Sequence, residues 1–160
     1  MVVQRFTGTQ GVCTNGGVTI TVGTQVERVC DAPRFRIWGI QGGGVVFDEQ
    51  TGAMWQRHPA TGTSFPVLNY ADAVAYCAGL TFAGFSDWRM AGHSSMVALI
   101  QLGQTPVAPT IDRDVFPNTP ELLFWTDEFA GADPLGVSFI DGNPVVALSD
   151  LGTHLVRCMR

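Results

Sequence analysis

The chain has 160 residues and a net charge of −5, and only 14% of its residues are charged, against roughly 25% in an ordinary soluble domain. Lysine is absent, and all nine basic residues are arginine. An acidic chain without clustered cations is not built to neutralise phosphates or acidic lipid surfaces, which excludes general nucleic-acid binding and membrane docking.

No apolar run approaches the roughly 20 residues that span a bilayer. The N-terminal segment MVVQRFTGTQG is too short in apolar residues for a signal peptide, so the expectation is a mature fragment or a protein exported by a route the sequence does not display. The length fits one domain with a small appendage. Nineteen glycines and nine prolines point to short strands and long ordered loops.

Residues 1–32 read as a small separate module. Val18, Ile20 and Val22 alternate with threonines, residues 25–30 alternate again, and glycines flank both runs. That pattern predicts a β-hairpin. So short a unit buries little core and needs a staple or a neighbour. The main domain follows over residues 33–160. Residues 34–40 form a strand with alternating arginines, and residues 45–47 and 53–55 flank a five-residue hairpin loop at 48–52.

Residues 69–80 carry the one convincing amphipathic helix. Asn69 is a good N-cap, and Tyr70, Ala73, Val74, Cys77 and Leu80 make one stripe of period 3.6. Asp72 complements the dipole of the first turn, and Gly79 is expected to end the helix in a left-handed conformation. A second helix is predicted from a cap at Ser94 or Ser95, through Met96, Val97, Leu99, Ile100 and Leu102, to Gly103. Residues 104–120 hold four prolines and read as a long ordered loop. Strands are expected at 122–126, 135–140, 145–148 and 153–158, with turns at 131–134 and 141–144. Strands, two helices, a long loop and more strands make the class α+β.

The four cysteines, Cys13, Cys30, Cys77 and Cys158, form no C-x-x-C pair, which argues against zinc. Their even number favours two disulfides and an oxidising compartment over free buried thiols. Three connectivities are possible. The expected one is Cys13–Cys30 locally and Cys77–Cys158 at long range.

Several strings resemble one family. They are Val46-Phe47-Asp48 with TGAMWQ at 51–56, YADA at 70–73 with Tyr76-Cys77, GFSDWR at 84–89, FPNT at 116–119, Phe124-Trp125-Thr126, and VRCMR at 156–160. Over residues 43–160 the chain resembles the C-terminal domain of the Legionella collagen-like adhesin, a C-type-lectin-like domain of bacterial surface proteins. Residues 1–32 resemble the short cysteine-bearing module that precedes such domains. The resemblance implies a C-type-lectin-like fold, with two helices packed on small antiparallel sheets and a long loop region. It also implies a link between the first helix and the last strand through Cys77 and Cys158. The chain departs from the family at Met90-Ala91-Gly92-His93, where L-P-T and then an acidic residue are usual. The sulfated polysaccharides associated with the adhesin find no basic patch in this lysine-free chain.

The triplet Asp87-Trp88-Arg89 is expected to be architectural, with Trp88 in the core and Arg89 bonding buried carbonyls and a carboxylate. Catalysis is not expected. His58, His93 and His154 are scattered, Cys77 faces inward toward a disulfide partner, and no Ser-His-Asp spacing or phosphate-binding glycine motif occurs. No cofactor is expected. Calcium takes six to eight oxygen ligands, more than Trp125-Thr126-Asp127 and the turn at 141–144 supply.

The resulting expectation is a non-catalytic extracellular or cell-surface recognition domain, an adhesin or receptor-binding head for a glycan or a surface protein. Contact would run through the loops at 104–120 and 126–134, by Asp112, Arg113, Asp114, Asp127, Glu128 and Phe129, because a rigid scaffold leaves its loops free to vary. The alternative is a homo-oligomeric structural subunit, the cap or repeat of a trimeric or filamentous surface assembly, in which the N-terminal hairpin lends strands to a neighbour.

Overall fold

The computed structural model describes residues 4–6, 17–22, 25–30, 34–39, 44–62, 64–100, 108–141, 146–147 and 152–160. Within them the chain is α+β, with three sheets and two short helices. β1 (Gln4–Phe6), β2 (Gly17–Val22) and β3 (Gln25–Cys30) form an antiparallel sheet in the order β1-β3-β2. The predicted hairpin is its β2–β3 half. Cys13, the junction at 31–33, Leu102 and Gly103 lie outside the described residues, and so does the expected Cys13–Cys30 link.

The second sheet contains β4 (Phe35–Trp38), β5 (Val45–Asp48), β6 (Met54–Gln56), β8 (Arg89–Met90) and β13 (Cys158–Met159), in the order β4-β5-β6-β13-β8. The third contains β7 (Val67–Leu68), β9 (Leu123–Ala130), β10 (Asp133–Ser138), β11 (Val146–Ala147) and β12 (His154–Leu155), in the order β11-β10-β9-β12-β7. All of its pairs are antiparallel except β9 with β12. No helix among the described residues is long and apolar enough to cross a membrane.

Strand alternation divides the interior in two. Val46, Trp55 and Met159 point into one cluster with Phe65, Phe116, Phe124 and Phe139. Val45, Met54 and Cys158 point into another with Ala73, Cys77, Trp88 and Trp125. Successive strand residues face opposite sides, so the second sheet is covered on both faces. Phe124 and Trp125 split the same way, which is why β9 reads as a continuous apolar run.

The first helix, α1 (Tyr70–Ala78), is capped as its sequence demands. Asn69 Oδ1 accepts the Asp72 backbone N–H at 2.9 Å, and Asn69 Nδ2 donates to Asp72 Oδ2 at 2.7 Å. Its stripe is narrower than predicted, because Val74 is 42% exposed while Ala73 and Cys77 are fully buried. Cys77 is bonded to Cys158, which ties α1 to β13.

Four expectations need correction. Gly79 closes α1 in a right-handed conformation (φ −91°); the left-handed residues are Ala83 (φ 52°) and Gly84 (φ 85°). They make the two-residue turn between Phe82 and Phe85, whose backbones exchange hydrogen bonds of 2.9 and 3.0 Å, and a turn with both central φ values positive matches the strand twist. The second helix, α2 (His93–Val97), starts earlier and is shorter than predicted. Gly92 is its N-cap, without a side-chain bond, and Ser94 and Ser95 lie inside it. Arg89 is largely exposed, and among the described residues its side chain pairs with one carboxylate, that of Asp127 at 3.9 Å. Trp88 is buried as expected, and its indole N–H is shared between the Phe82 and Phe85 carbonyls. The closing strand is two strands: β12 belongs to one sheet and β13 to the other, and the chain crosses between them at Val156 and Arg157.

Arg157 is fully buried at that crossing. One Nη donates to the Gln56 carbonyl and the other to Thr119 Oγ1 at 2.6 Å. Its guanidinium carbon lies 4.3, 5.0 and 5.8 Å from the ring centres of Phe65, Phe116 and Phe124. Burial pushes its pKa down to about 9, still above neutral pH, so the group is charged. Among the described residues no carboxylate forms an ion pair with it. Aromatic faces and carbonyl dipoles carry the charge instead.

The terminal string and the turn string meet at Arg160, whose Nε and Nη2 donate to the two oxygens of Asp87 at 2.6 and 2.9 Å while its guanidinium stacks over Phe85 at 4.0 Å.

Two stability predictions follow from these contacts. A cross-link closing a loop with a sequence separation of 81 is worth about 4 kcal/mol in the unfolded-chain account. Cys77→Ala/Cys158→Ala should lower the denaturation free energy by about that amount, and a loss below about 1 kcal/mol would show the link to be dispensable. Replacing Arg157 by alanine leaves the Gln56 carbonyl and Thr119 without their donor in an aromatic cavity and should cost about 2–5 kcal/mol from the lost donors and the void together. Arg157→Met, which keeps the volume, should cost measurably less in the same urea titration.

Candidate functional site

β9 and β10 form the longest hairpin of the third sheet, and the two halves of β9 differ in kind. Phe124, Trp125 and Thr126 are fully buried, whereas residues 127–130 are exposed. The expected loop at 126–134 is therefore mostly strand: β9 runs to Ala130 and β10 starts at Asp133, with Gly131 (φ 69°) in the tight turn.

The ladder is interrupted where burial ends. Phe129 pairs with Pro134 and Trp125 with Gly136, so Thr126, Asp127 and Glu128 stand opposite Leu135 alone. Such a bulge bends a strand and re-aims its side chains. Thr126 fills the broken ladder by donating its hydroxyl to the Leu135 carbonyl at 2.8 Å. The Asp127 backbone N–H turns away and donates to Ala91 O at 3.0 Å. Asp127 and Glu128 come to lie beside Gly92; a Cβ there would sit 3.4 Å from Asp127 Oδ1 and 3.8 Å from Glu128 Oε1. The first turn of α2 favours such anions.

Phe129 is 50% exposed and is held by an aromatic series. Its ring centre lies 5.0 Å from that of Tyr70, with planes at 66°; Tyr70 is 5.5 Å from Trp125, and Trp125 is 4.7 Å from His154. Trp125 is fixed by its indole N–H, which donates to Leu68 O at 2.8 Å. Burial first, and then the charge of Asp127, push the Tyr70 phenol above its ordinary range. Burial lowers the pKa of His154.

Asp112, Arg113 and Asp114 sit elsewhere, in the turn after Ile111. Asp112 Oδ1 accepts the backbone N–H groups of Asp114 and Val115 at 3.0 and 3.1 Å, so this carboxylate shapes its own turn. Arg57 grips the same turn by donating to the Asp114 and Val115 carbonyls at 3.0 and 2.9 Å. Arg113 is exposed, 3.8 Å from Glu121. The structure thus gives the two predicted triplets separate supports, and it gathers Asp127, Glu128 and Phe129 with Tyr70 and Arg89.

By sequence Tyr70 belongs to the apolar stripe of the helix, and Arg89 is expected to bond buried carbonyls and a carboxylate; the carboxylate is that of Asp127. A hint for Tyr70 was its place directly after the cap, at the end of the apolar stripe; Arg89 carried no such signal. Among the described residues no cluster of three or more His, Cys, Asp or Glu side chains is placed to hold a metal ion.

Thr126→Val keeps the shape of the bulge residue and orphans the Leu135 carbonyl. The expected cost is about 1–3 kcal/mol, with faster amide exchange at Asp127 as the local sign that the bulge has loosened.

A family model described as the Lcl C-terminal domain matches residues 44–160. No curated protein and no solved structure matches the chain. The matched segment contains both helices, the Cys77–Cys158 link and the bulged hairpin, and it coincides with the span expected from the GFSDWR and VRCMR strings. The chain belongs to the Lcl C-terminal domain family.

Proposed function

We propose that the chain is a non-catalytic, surface-associated recognition domain, adhesin-like, with a C-type-lectin-like fold. It works outside the cell and contacts a glycan or a protein through the exposed end of the β9–β10 hairpin. Membership of the family supports the surface-associated role. The Cys77–Cys158 link suits an oxidising compartment.

The observation that carries the recognition role is Phe129. A half-exposed phenylalanine, braced by Tyr70 and flanked by Asp127 and Glu128 on a bulged strand, is costly to leave in water. Its rigid support leaves it little entropy to lose on binding, as in the aromatic anchors of interfaces.

The test is retention on arrays of glycans and cell-surface proteins, with and without a calcium chelator. Phe129→Ala should weaken retention by about tenfold, while loss of the ring contact with Tyr70 costs only about 1 kcal/mol of stability and leaves the domain folded. Equal retention of the variant and the parent would sink the assignment of this face. Retention abolished by the chelator would bring in calcium, which this proposal does not require.

A second reading rests on a different observation. β4 is the outermost strand of its sheet among the described residues, and it exposes Ile37 (47%) and Trp38 (56%). Apolar edge strands invite pairing with another chain, as a subunit or cap of a trimeric or filamentous surface assembly would use them. Sedimentation decides it: a monomer at high concentration, equally with and without residues 1–32, removes this role.

A further inference from the structure

We propose that Arg157 holds a small monovalent anion, a chloride ion, inside the domain, with the Trp55 indole as its second donor. The site is independent of the hairpin face.

Charge is the first ground. Arg157 is 0% exposed, and among the described residues no carboxylate pairs with it. An ion taken out of water needs a counter-charge or a full set of hydrogen bonds. The Gln56 carbonyl and Thr119 Oγ1 engage its two Nη atoms, whereas Nε has no hydrogen-bond partner. The rings of Phe65, Phe116 and Phe124 lie against the guanidinium and temper its charge. A ring face, however, gives Nε no counter-charge.

The second ground is a neighbouring donor in the same condition. Trp55 is 1% exposed, and its indole N–H is also without a partner. Met159 stands opposite Trp55 in the β6–β13 pair. Arg157, two residues earlier, therefore takes the diagonal position on the same face, within reach of long side chains. Both enter the first interior cluster, Trp55 as a member and Arg157 through its three rings. Gln56 Nε2 is unpartnered too, but Gln56 follows Trp55 in β6 and alternates to the other face.

The donors also select the ligand. A water would accept from both and then need acceptors for its own hydrogens, yet among the described residues every unpartnered buried side-chain atom is a donor. An anion accepts from both and donates nothing. One guanidinium calls for one negative charge, and the surrounding Phe65, Phe116 and Phe124, none more than 2% exposed, admit only a small ion. Sulfate or phosphate would bring more oxygens and more charge than these donors meet.

The experiment is urea unfolding of the full chain at constant ionic strength, with sodium chloride replaced stepwise by sodium gluconate, whose anion is too large to enter. Above the dissociation constant, the folding equilibrium constant should rise about tenfold for each tenfold increase in chloride, as one bound ion requires. Arg157→Met should abolish that dependence, so this variant reads any general salt effect. Trp55→Phe keeps a ring and removes the N–H; it should move the chloride midpoint about fivefold higher, and it serves if Arg157→Met does not fold. Arg36→Gln/Arg113→Gln removes two exposed cations and should leave the dependence intact. In bromide-soaked crystals an anomalous peak is expected within hydrogen-bond distance of Arg157 Nε.

A folding constant indifferent to chloride overturns the proposal, as does a dependence that survives in Arg157→Met or is unmoved in Trp55→Phe. Bromide on exposed arginines and not at Arg157 would mark an adventitious ion only. An ordered water at Nε in place of a halide would mark a hydration site. Either result overturns it as well.

Discussion

Arg157 is the constraint around which the domain closes. A guanidinium sealed from water, with no ion pair among the described residues and its Nε left without a hydrogen-bond partner, is tolerable only if its Nη donors and its charge are met from several directions at once. Here they come from the Gln56 carbonyl in β6, Thr119 before β9, and three phenylalanine rings from separate stretches of the chain. None of these groups is local to Arg157, so satisfying it fixes the relative position of both large sheets. The next residue, Cys158, extends the same role: its backbone N–H donates to Gln56 Oε1 at 2.9 Å and its sulfur binds α1. Two consecutive residues thus hold the two halves of the interior, one on each face of the second sheet. Removing the arginine would leave polar groups stranded on several elements, which is why such a residue is hard to replace piecemeal.

The parts of the fold that local chemistry determines were legible in the sequence. Asn69 and Asp72 sit three residues apart and cap each other whatever surrounds them, and the 48–52 hairpin is set by its own turn, with Gly52 at φ 76°. The Cys77–Cys158 link could be expected because a helix stripe placed one cysteine inward. What required the tertiary structure is anything decided by a distant partner. The run at 153–158 reads as one strand, because nothing in it announces that β12 pairs with β7 and β9 while β13 pairs with β6 and β8. Nothing local to Arg157 marks its burial, which depends on aromatic rings from residues 65, 116 and 124. Gly79 reads as a left-handed cap, yet the chain turns later, at Ala83 and Gly84, where Phe82 and Phe85 can pair.

The candidate site shows the same division. Asp127, Glu128 and Phe129 are singled out by sequence as residues of an expected loop at 126–134. Their presentation depends on a bulge that exists only because β10 meets β9 out of step, and period-2 patterning carries no trace of such a shift. Tyr70 joined them through packing across α1 and β9. Asp112 shows the converse: an acid in a loop that looks available by sequence but is bound to the backbone of its own turn.

The placement of β12 and β13 also bears on the order in which the molecule is made. β12 lies between β7 and β9, and β13 between β6 and β8, so the last-synthesised part of the domain supplies an inner strand to each large sheet. On the ribosome, residues 44–141 would emerge with two gaps where those strands belong, and with Cys77 waiting for its partner. Hairpins such as β5–β6 and β9–β10 form from neighbouring residues, but neither sheet is continuous until residues 154–160 have joined it. Long-range closure of this kind is slow. A nascent domain with open strand edges and an unpaired thiol stays exposed to mispairing until its final strands join.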